Sequence, residues 1–264
     1  MAFYKVIASG NVIEIYEYEK EPVAPCMFDI DGDKHNQYEK IVLGNDEKNW
    51  IHEKVDRTDE RRKQTLREAR NLTRRLALMN FSGPGCSFVT LTYPDTRHLS
   101  YDDIETADDD FKKFMKRLRY KYKEKFKYLA VREFTKKKRI HFHMLINFDV
   151  AALNEDEIKE LERLWGQTIW KHGFVDIKKL NDTDNVGAYL IKYMTKNISI
   201  ETFKGHKVYL CSKGLERPLE FKGEEAEAIL EAYGLQNKKE VFTNSYISEY
   251  LGQIIYKEYN LLRL

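Results

Sequence analysis

The chain has 264 residues, 42% of them hydrophobic and 33% charged; that supplies apolar material for one large domain or two small ones, and a surface more ionic than the roughly 25% average. The formal net charge is only +2, so a polyanion would have to be met by a local patch rather than by bulk charge. No apolar run approaches the ~18 residues of a membrane span, no signal-peptide pattern opens the chain, and Cys26, Cys86 and Cys211 are odd in number without CxxC spacing, which argues against a zinc knuckle or disulfide framework and leads us to expect a soluble protein of a reducing compartment.

In chain order, residues 5–20 (KVIASGNVIEIYEYEK) read as a hairpin turning at Ser-Gly-Asn. Residues 21–50 read as irregular. A helix is predicted from Asp56 to about Met79, with Leu66, Leu72, Leu76 and Met79 as its apolar side, ended by Gly83-Pro84-Gly85. CSFVTLTY (86–93) is a strand by its β-branched and aromatic content, ended by Pro94. Residues 103–123 form a basic amphipathic helix with Ile104, Phe111, Phe114, Met115 and Leu118 inward. Strands follow at 127–134 (KYLAVREF) and 139–148 (RIHFHMLINF). A helix is expected from Asn154 to about Trp170, with Asn154 and Glu157 as a capping pair. Trp165 and Trp170 in it read as core. Then come a strand at 173–180, a helix at 185–197, a strand at 207–212 and a short helix at 223–234. A tyrosine-rich hairpin turning near Gly252 closes the chain.

This order implies an α+β fold, a mainly antiparallel central sheet with flanking helices, for which a ferredoxin-like core fits best. We read 1–264 as a single domain, with 1–55 an N-terminal embellishment, 56–222 the core and 223–264 a C-terminal helix and hairpin.

Three groups of residues point to chemistry. Residues 112–139 hold fourteen lysines and arginines against Glu124 and Glu133. A block of that kind suits a polyanion, with Lys112, Lys116, Arg119, Lys136, Lys137, Lys138 and Arg139 as its contacts. His141 and His143 share one face of their strand, and paired imidazoles there suit a divalent metal. Glu133, on the preceding strand, lies opposite His141 if the connecting loop has three or five residues, and turns away if it has four. On the 185–197 helix, Tyr189 and Tyr193 are four apart and share a side. Lys192 and Lys196 follow them by three each. A phenol of pKa ~10 is a poor nucleophile at neutral pH; a nearby ammonium and an electropositive site favour the phenolate. Leu190 and Met194 compete for the inward side of that helix. Thr90 and Thr92 share a face and stand as candidate site-lining residues. Asp95 reads as a turn residue, and His98 and His172 as surface residues.

Taken together and in this order, FVTLTY (88–93), HFH (141–143) and YLIKYMTK (189–196) resemble the HUH endonuclease superfamily, and within it the rolling-circle replication initiators of phages and plasmids. The resemblance covers about Phe88 to Pro218. The histidines precede the tyrosines, as in initiators and related transposases. No third histidine follows the pair closely, unlike in relaxases, which makes Glu133 the third ligand by analogy. The absence of GxxxxGK[ST] leaves no fused helicase.

The resemblance implies a single-strand DNA endonuclease and strand transferase. In it His141, His143 and Glu133 hold Mg2+ or Mn2+. Tyr189 or Tyr193 attacks origin DNA to give a 5′-phosphotyrosine and a free 3′-OH, and Lys192 and Lys196 partner phosphate or phenolate. It further implies a separate helicase and polymerase as partners, and the cytoplasm of a bacterial host as the location. A transposase using the same tyrosines, and a non-catalytic single-strand-binding module, are the alternatives.

Overall fold

Gly10, at φ 57°, turns the chain between β1 (Phe3–Ser9) and β2 (Val12–Tyr18). A side chain there would be strained, and its Cβ would lie 2.6 Å from the carbonyl oxygen of Leu78. This contact comes from the computed structural model of the protein. The structure describes residues 3–22, 39–43, 50–54, 58–94, 103–135, 139–180, 183–194 and 206–264, with the backbone alone for 39–43, 50–54 and 58–62. The segment expected to be irregular contributes a strand, β3 (Glu39–Leu43), which pairs with β4 (Trp50–Lys54).

The order continues as α1 (Thr58–Phe81), β5 (Ser87–Thr92), α2 (Ile104–Tyr122), β6 (Tyr128–Phe134), β7 (Ile140–Ile146) and α3 (Glu155–Leu164). After α3 come a π-helical turn (Trp165–Trp170), β8 (Phe174–Lys179), α4 (Val186–Ile191), β9 (Tyr209–Cys211), β10 (Leu219–Lys222), α5 (Glu224–Ala232), β11 (Phe242–Ser248) and β12 (Gly252–Asn260). The central sheet runs β8-β5-β7-β6-β9, every pair antiparallel. Its first four strands, taken with α2 and α3, are a βαββαβ unit, the ferredoxin-like arrangement. The protein is thus α+β with a mainly antiparallel central sheet and flanking helices.

Alternation on the strands gives the sheet two faces. Val89, Leu91, Ala130, Phe142, Met144 and Val175 point to one side, where Phe111, Phe114, Met115 and Leu118 of α2 and both tryptophans of the π turn bury them. Wider i→i+5 bonding, seen in Lys171 N–H donating to the Gly166 carbonyl at 2.8 Å, lets two indoles five residues apart reach one core. Each indole N–H is satisfied, Trp165 on the Tyr122 hydroxyl and Trp170 on the Thr92 carbonyl. The Asn154–Glu157 capping box starts α3 as expected. Phe88, Leu129, Val131 and Leu145 point the other way, under Leu76, Leu78 and Phe81 of α1 and Val186 and Leu190 of α4.

A second five-stranded sheet, β10-β1-β2-β12-β11, joins the two ends of the chain. The 1–55, 56–222 and 223–264 segments therefore do not follow the sheets. β10, unassigned in the sequence and inside the expected core segment, pairs with β1, and the terminal hairpins lie side by side through β2 and β12. A buried ionic network ties this sheet to α1. Glu14 accepts from Arg75 at 2.6 and 3.1 Å and from the Tyr256 hydroxyl at 2.9 Å, while Arg74 pairs with Glu258. Among the described residues no helix is long and apolar enough to cross a membrane.

Candidate active site

The loop between β6 and β7 decides whether Glu133 meets the histidines. Its last ladder pair is Phe134 with Ile140, and Thr135 N–H donates to the Arg139 carbonyl at 2.9 Å. Five residues thus separate the strands, an odd number, and Glu133 stands directly opposite His141. The pairings then set two rows across one face of the sheet. Phe174, Thr92, His141 and Glu133 form the outer row; Asp176, Thr90, His143, Val131 and Tyr209 form the next.

The side chains close on each other within these rows. His143 is buried, with Nε2 at 2.7 Å from Glu133 Oε2 and Nδ1 at 3.2 Å from Thr90 Oγ1. A proton on Nδ1, donated to the threonine hydroxyl, would leave the Nε2 lone pair turned toward the carboxylate. Burial, helped by the nearby charges of His143 and Arg139 and opposed by Glu133, lowers the His141 pKa below its ordinary 6.5. Its imidazole is therefore neutral at pH 7 and keeps a lone pair.

α4 delivers the tyrosines to the same face. Asn185 caps its first turn by accepting from Ala188 N–H at 2.8 Å, and Gly187 lets it press against α1. The expected helix over 185–197 is α-helical only through Ile191. Tyr193 and Met194 then bond back to Leu190 and Ile191 by three residues, a tighter turn. Leu190 and Met194 take the innermost positions, and the two tyrosines lie half-buried beside them. The Tyr193 ring lies flat on His143, with centroids 3.7 Å apart and planes 20° apart. Tyr189 meets Tyr193 edge-on at 5.9 Å, and Phe88 underlies both, at 4.7 Å from Tyr189 and 5.7 Å from Tyr193.

The electrostatics differ from the expectation that a neighbouring lysine favours a phenolate. Burial, a hydrogen bond to Tyr189, and the negative field of Tyr189, Glu133 and Asp176 raise the Tyr193 pKa above its ordinary 10. Lys192 Nζ sits over the tyrosine ring faces, 4.2 Å from the Tyr189 centroid and 5.1 Å from that of Tyr193, a cation–π geometry. Lys196 lies outside the described residues.

The basic contacts read from the sequence separate in space. Arg139 is beside His141, close enough for its charge to act on that imidazole. Lys136, Lys137 and Lys138 lie outside the described residues, as do Asp95 and His98. Lys112, Lys116 and Arg119 ride on α2, which covers the sheet face opposite the histidines. His172, expected at the surface, is instead largely buried, with Nε2 3.3 Å from Asp110 Oδ1 and its ring against Trp170 and Tyr93. Sequence reading missed Asp176, whose carboxylate acts on Tyr193; alternation in FVDIKK put it with Phe174 and Lys178, but only the β5–β8 pairing shows which face that is.

The donor set suits a hard divalent ion, with two imidazoles and a carboxylate on one face. Two of the three donors, His143 Nε2 and Glu133 Oε2, already converge. Among the described residues, however, no three His, Cys, Asp or Glu side chains are closed tightly enough to hold an ion as they stand. His141 sits beside Glu133 on the ladder without completing the cluster.

Comparison with known proteins agrees with this segment of the chain. Residues 86–198 match the family model of the replication-associated protein ORF2, which spans β5, the histidine strand and the tyrosine helix. No curated protein and no solved structure matches the chain. The resemblance to rolling-circle replication initiators therefore stands on an independent match, and the chain is replication-associated over that segment.

Proposed function

We propose that this segment nicks and rejoins single-stranded origin DNA as the initiator of rolling-circle replication, by metal-dependent transesterification through a 5′-phosphotyrosine. The observation that carries the reading is the stacking of Tyr193 on His143 at 3.7 Å, with Glu133 on that imidazole's far nitrogen. A nucleophile-bearing ring, an N,O donor pair and a second tyrosine share one sheet face.

His141, His143 and Glu133 would hold Mg2+ or Mn2+, which when bound polarises the scissile phosphate and lowers the charge penalty of attack. The phenolic oxygen forms a bond to phosphorus, the bond from phosphorus to the 3′ oxygen breaks, and the leaving oxygen takes up a proton. The bond count is conserved, so the free 3′-OH can prime synthesis and the ester can later be resealed. Because burial and the Tyr189 hydrogen bond keep the Tyr193 proton in place, the phenol must lose it as the strand arrives. Thr90 positions His143 through Nδ1. Phe174, 68% exposed in the outer row beside Thr92, offers an unpaired base a stacking surface at the open side of the site. Tyr189, next to Tyr193, is placed for a second transfer. A separate helicase and polymerase would act with the chain.

The test is a denaturing gel of the chain incubated with Mn2+ and a library of single-stranded oligonucleotides, scored for a covalent protein–DNA band. We expect a band from the parent chain and none from Tyr189→Phe/Tyr193→Phe. His141→Ala should lose the band and keep DNA affinity. A band from the double variant, or none from the parent across the library, refutes the reading and in the second case leaves a binding module.

A further inference from the structure

A groove of about 750 Å³ opens on the other side of the molecule, between the C-terminal half of α2 and the π turn. Five of its lining residues are cationic, Lys116, Arg117, Arg119, Lys121 and Lys171, and no acid lines it. Lys116, Arg119, Lys121 and Lys171 are exposed, and none makes an ion pair among the described residues. Arg117 joins the two walls by donating to the carbonyls of Ile169 and Trp170 at 3.0 and 3.3 Å. Tyr120 stands among these cations 87% exposed, where nothing in the fold needs its ring. Lys171 is held at φ 65°, a conformation that glycine or asparagine takes with less strain. The chain keeps a cation there against that preference, and such a departure points to function.

The groove is remote from the histidines. α2 lies on the opposite face of the sheet, and its direction sets the groove at the opposite end as well. Asp108, in its first half, pairs with Arg132 next to Glu133 in sequence, whereas Tyr122, just past the groove residues, packs on Phe126 and Phe148 where β6 begins and β7 has ended.

We propose that this groove is a second binding site for single-stranded DNA, holding nucleotides distant from those at the tyrosines. Cations without acidic partners suit phosphates, and an exposed aromatic ring among them suits an unpaired base, which a duplex would not present. The inference rests on the strand-transfer reading only for the polyanion being DNA. A strand engaged at both places would have to pass around an edge of the sheet.

The test measures binding of a labelled 20-nucleotide oligothymidylate by fluorescence anisotropy without divalent metal, in the Tyr189→Phe/Tyr193→Phe background, so that no strand transfer contributes. Tyr120→Ala should weaken binding by about 5-fold or more. Lys121→Ala and Lys171→Gly should each lower the slope of log affinity against log salt by about 0.7. Lys171→Gly should also raise the melting temperature by removing strain, separating loss of binding from loss of fold, and Lys171→Arg should keep the parent affinity. Photocrosslinking of a 5-iododeoxyuridine oligonucleotide should place an adduct on Tyr120. Unchanged affinity in Tyr120→Ala and Lys121→Ala, or tighter binding of a duplex or of RNA, overturns the assignment. Absence of the covalent band in the parent chain would sink strand transfer and leave this binding intact; unchanged binding beside a normal band would sink the groove alone.

Discussion

Replacing Gly187 by alanine tests how α4 is seated. The added Cβ would lie 2.5 Å from the Arg74 carbonyl oxygen and 3.0 Å from Leu78 Cγ, both on α1. Reaching ordinary van der Waals contact of about 3.4 Å requires α4 to lift by about 0.9 Å, because the oxygen belongs to a bonded helix and cannot swing aside. Overpacking of this kind costs about 1–3 kcal/mol, partly offset by alanine's better helix propensity of just under ~1 kcal/mol. Each kcal/mol lost lowers the melting temperature of a chain this size by about 2–4 °C. Tyr189 lies two residues on and Tyr193 six, so the lift is passed to the ring stacked on His143 at 3.7 Å. A misplacement near 1 Å costs on the order of 100-fold in a positioned reaction. Urea unfolding with far-UV circular dichroism measures the first effect, and single-turnover formation of the covalent band the second. An alanine variant as stable as the parent, with an unchanged rate, would show that α4 does not press on α1 as described.

Glu14→Gln leaves the buried Arg75 guanidinium without its carboxylate partner; breaking a buried pair costs about 3–5 kcal/mol, read as a lower denaturation midpoint. Thr90→Val removes the hydrogen bond to His143 Nδ1 and should weaken Mn2+ binding by about 10- to 100-fold in isothermal titration, with little change in fold. His141 has its folded pKa below its unfolded value, so the unfolded chain binds the extra proton first. In metal-free buffer, stability should fall as pH drops through about 6.5 toward the folded pKa and level off above about 6.5. His141→Gln should flatten that slope, and an identical slope in the variant would contradict the burial of the imidazole.

Much of the site is legible locally. A side-chain period of two puts His141 and His143 on one face, and an odd loop puts Glu133 opposite, because both properties depend on a few adjacent residues. The α2 core residues and the Asn154 cap are legible for the same reason. His172 and the lysines of α2 show the limit. Whether a polar residue is buried, or on which side of the sheet a basic helix sits, depends on partners far along the chain.

By itself, then, the sequence determined the element types, the shared face of the histidines, the position of Glu133 and the pairing of the tyrosines, through periodicities of two and about four residues. Only the tertiary structure decided that β5 lies between β7 and β8, that α1 seats α4 on the histidine face, that the two chain ends form one sheet, and that the cations of α2 face away from the tyrosines. Those outcomes follow from burial of apolar faces between segments tens to hundreds of residues apart, which has no local repeat to read.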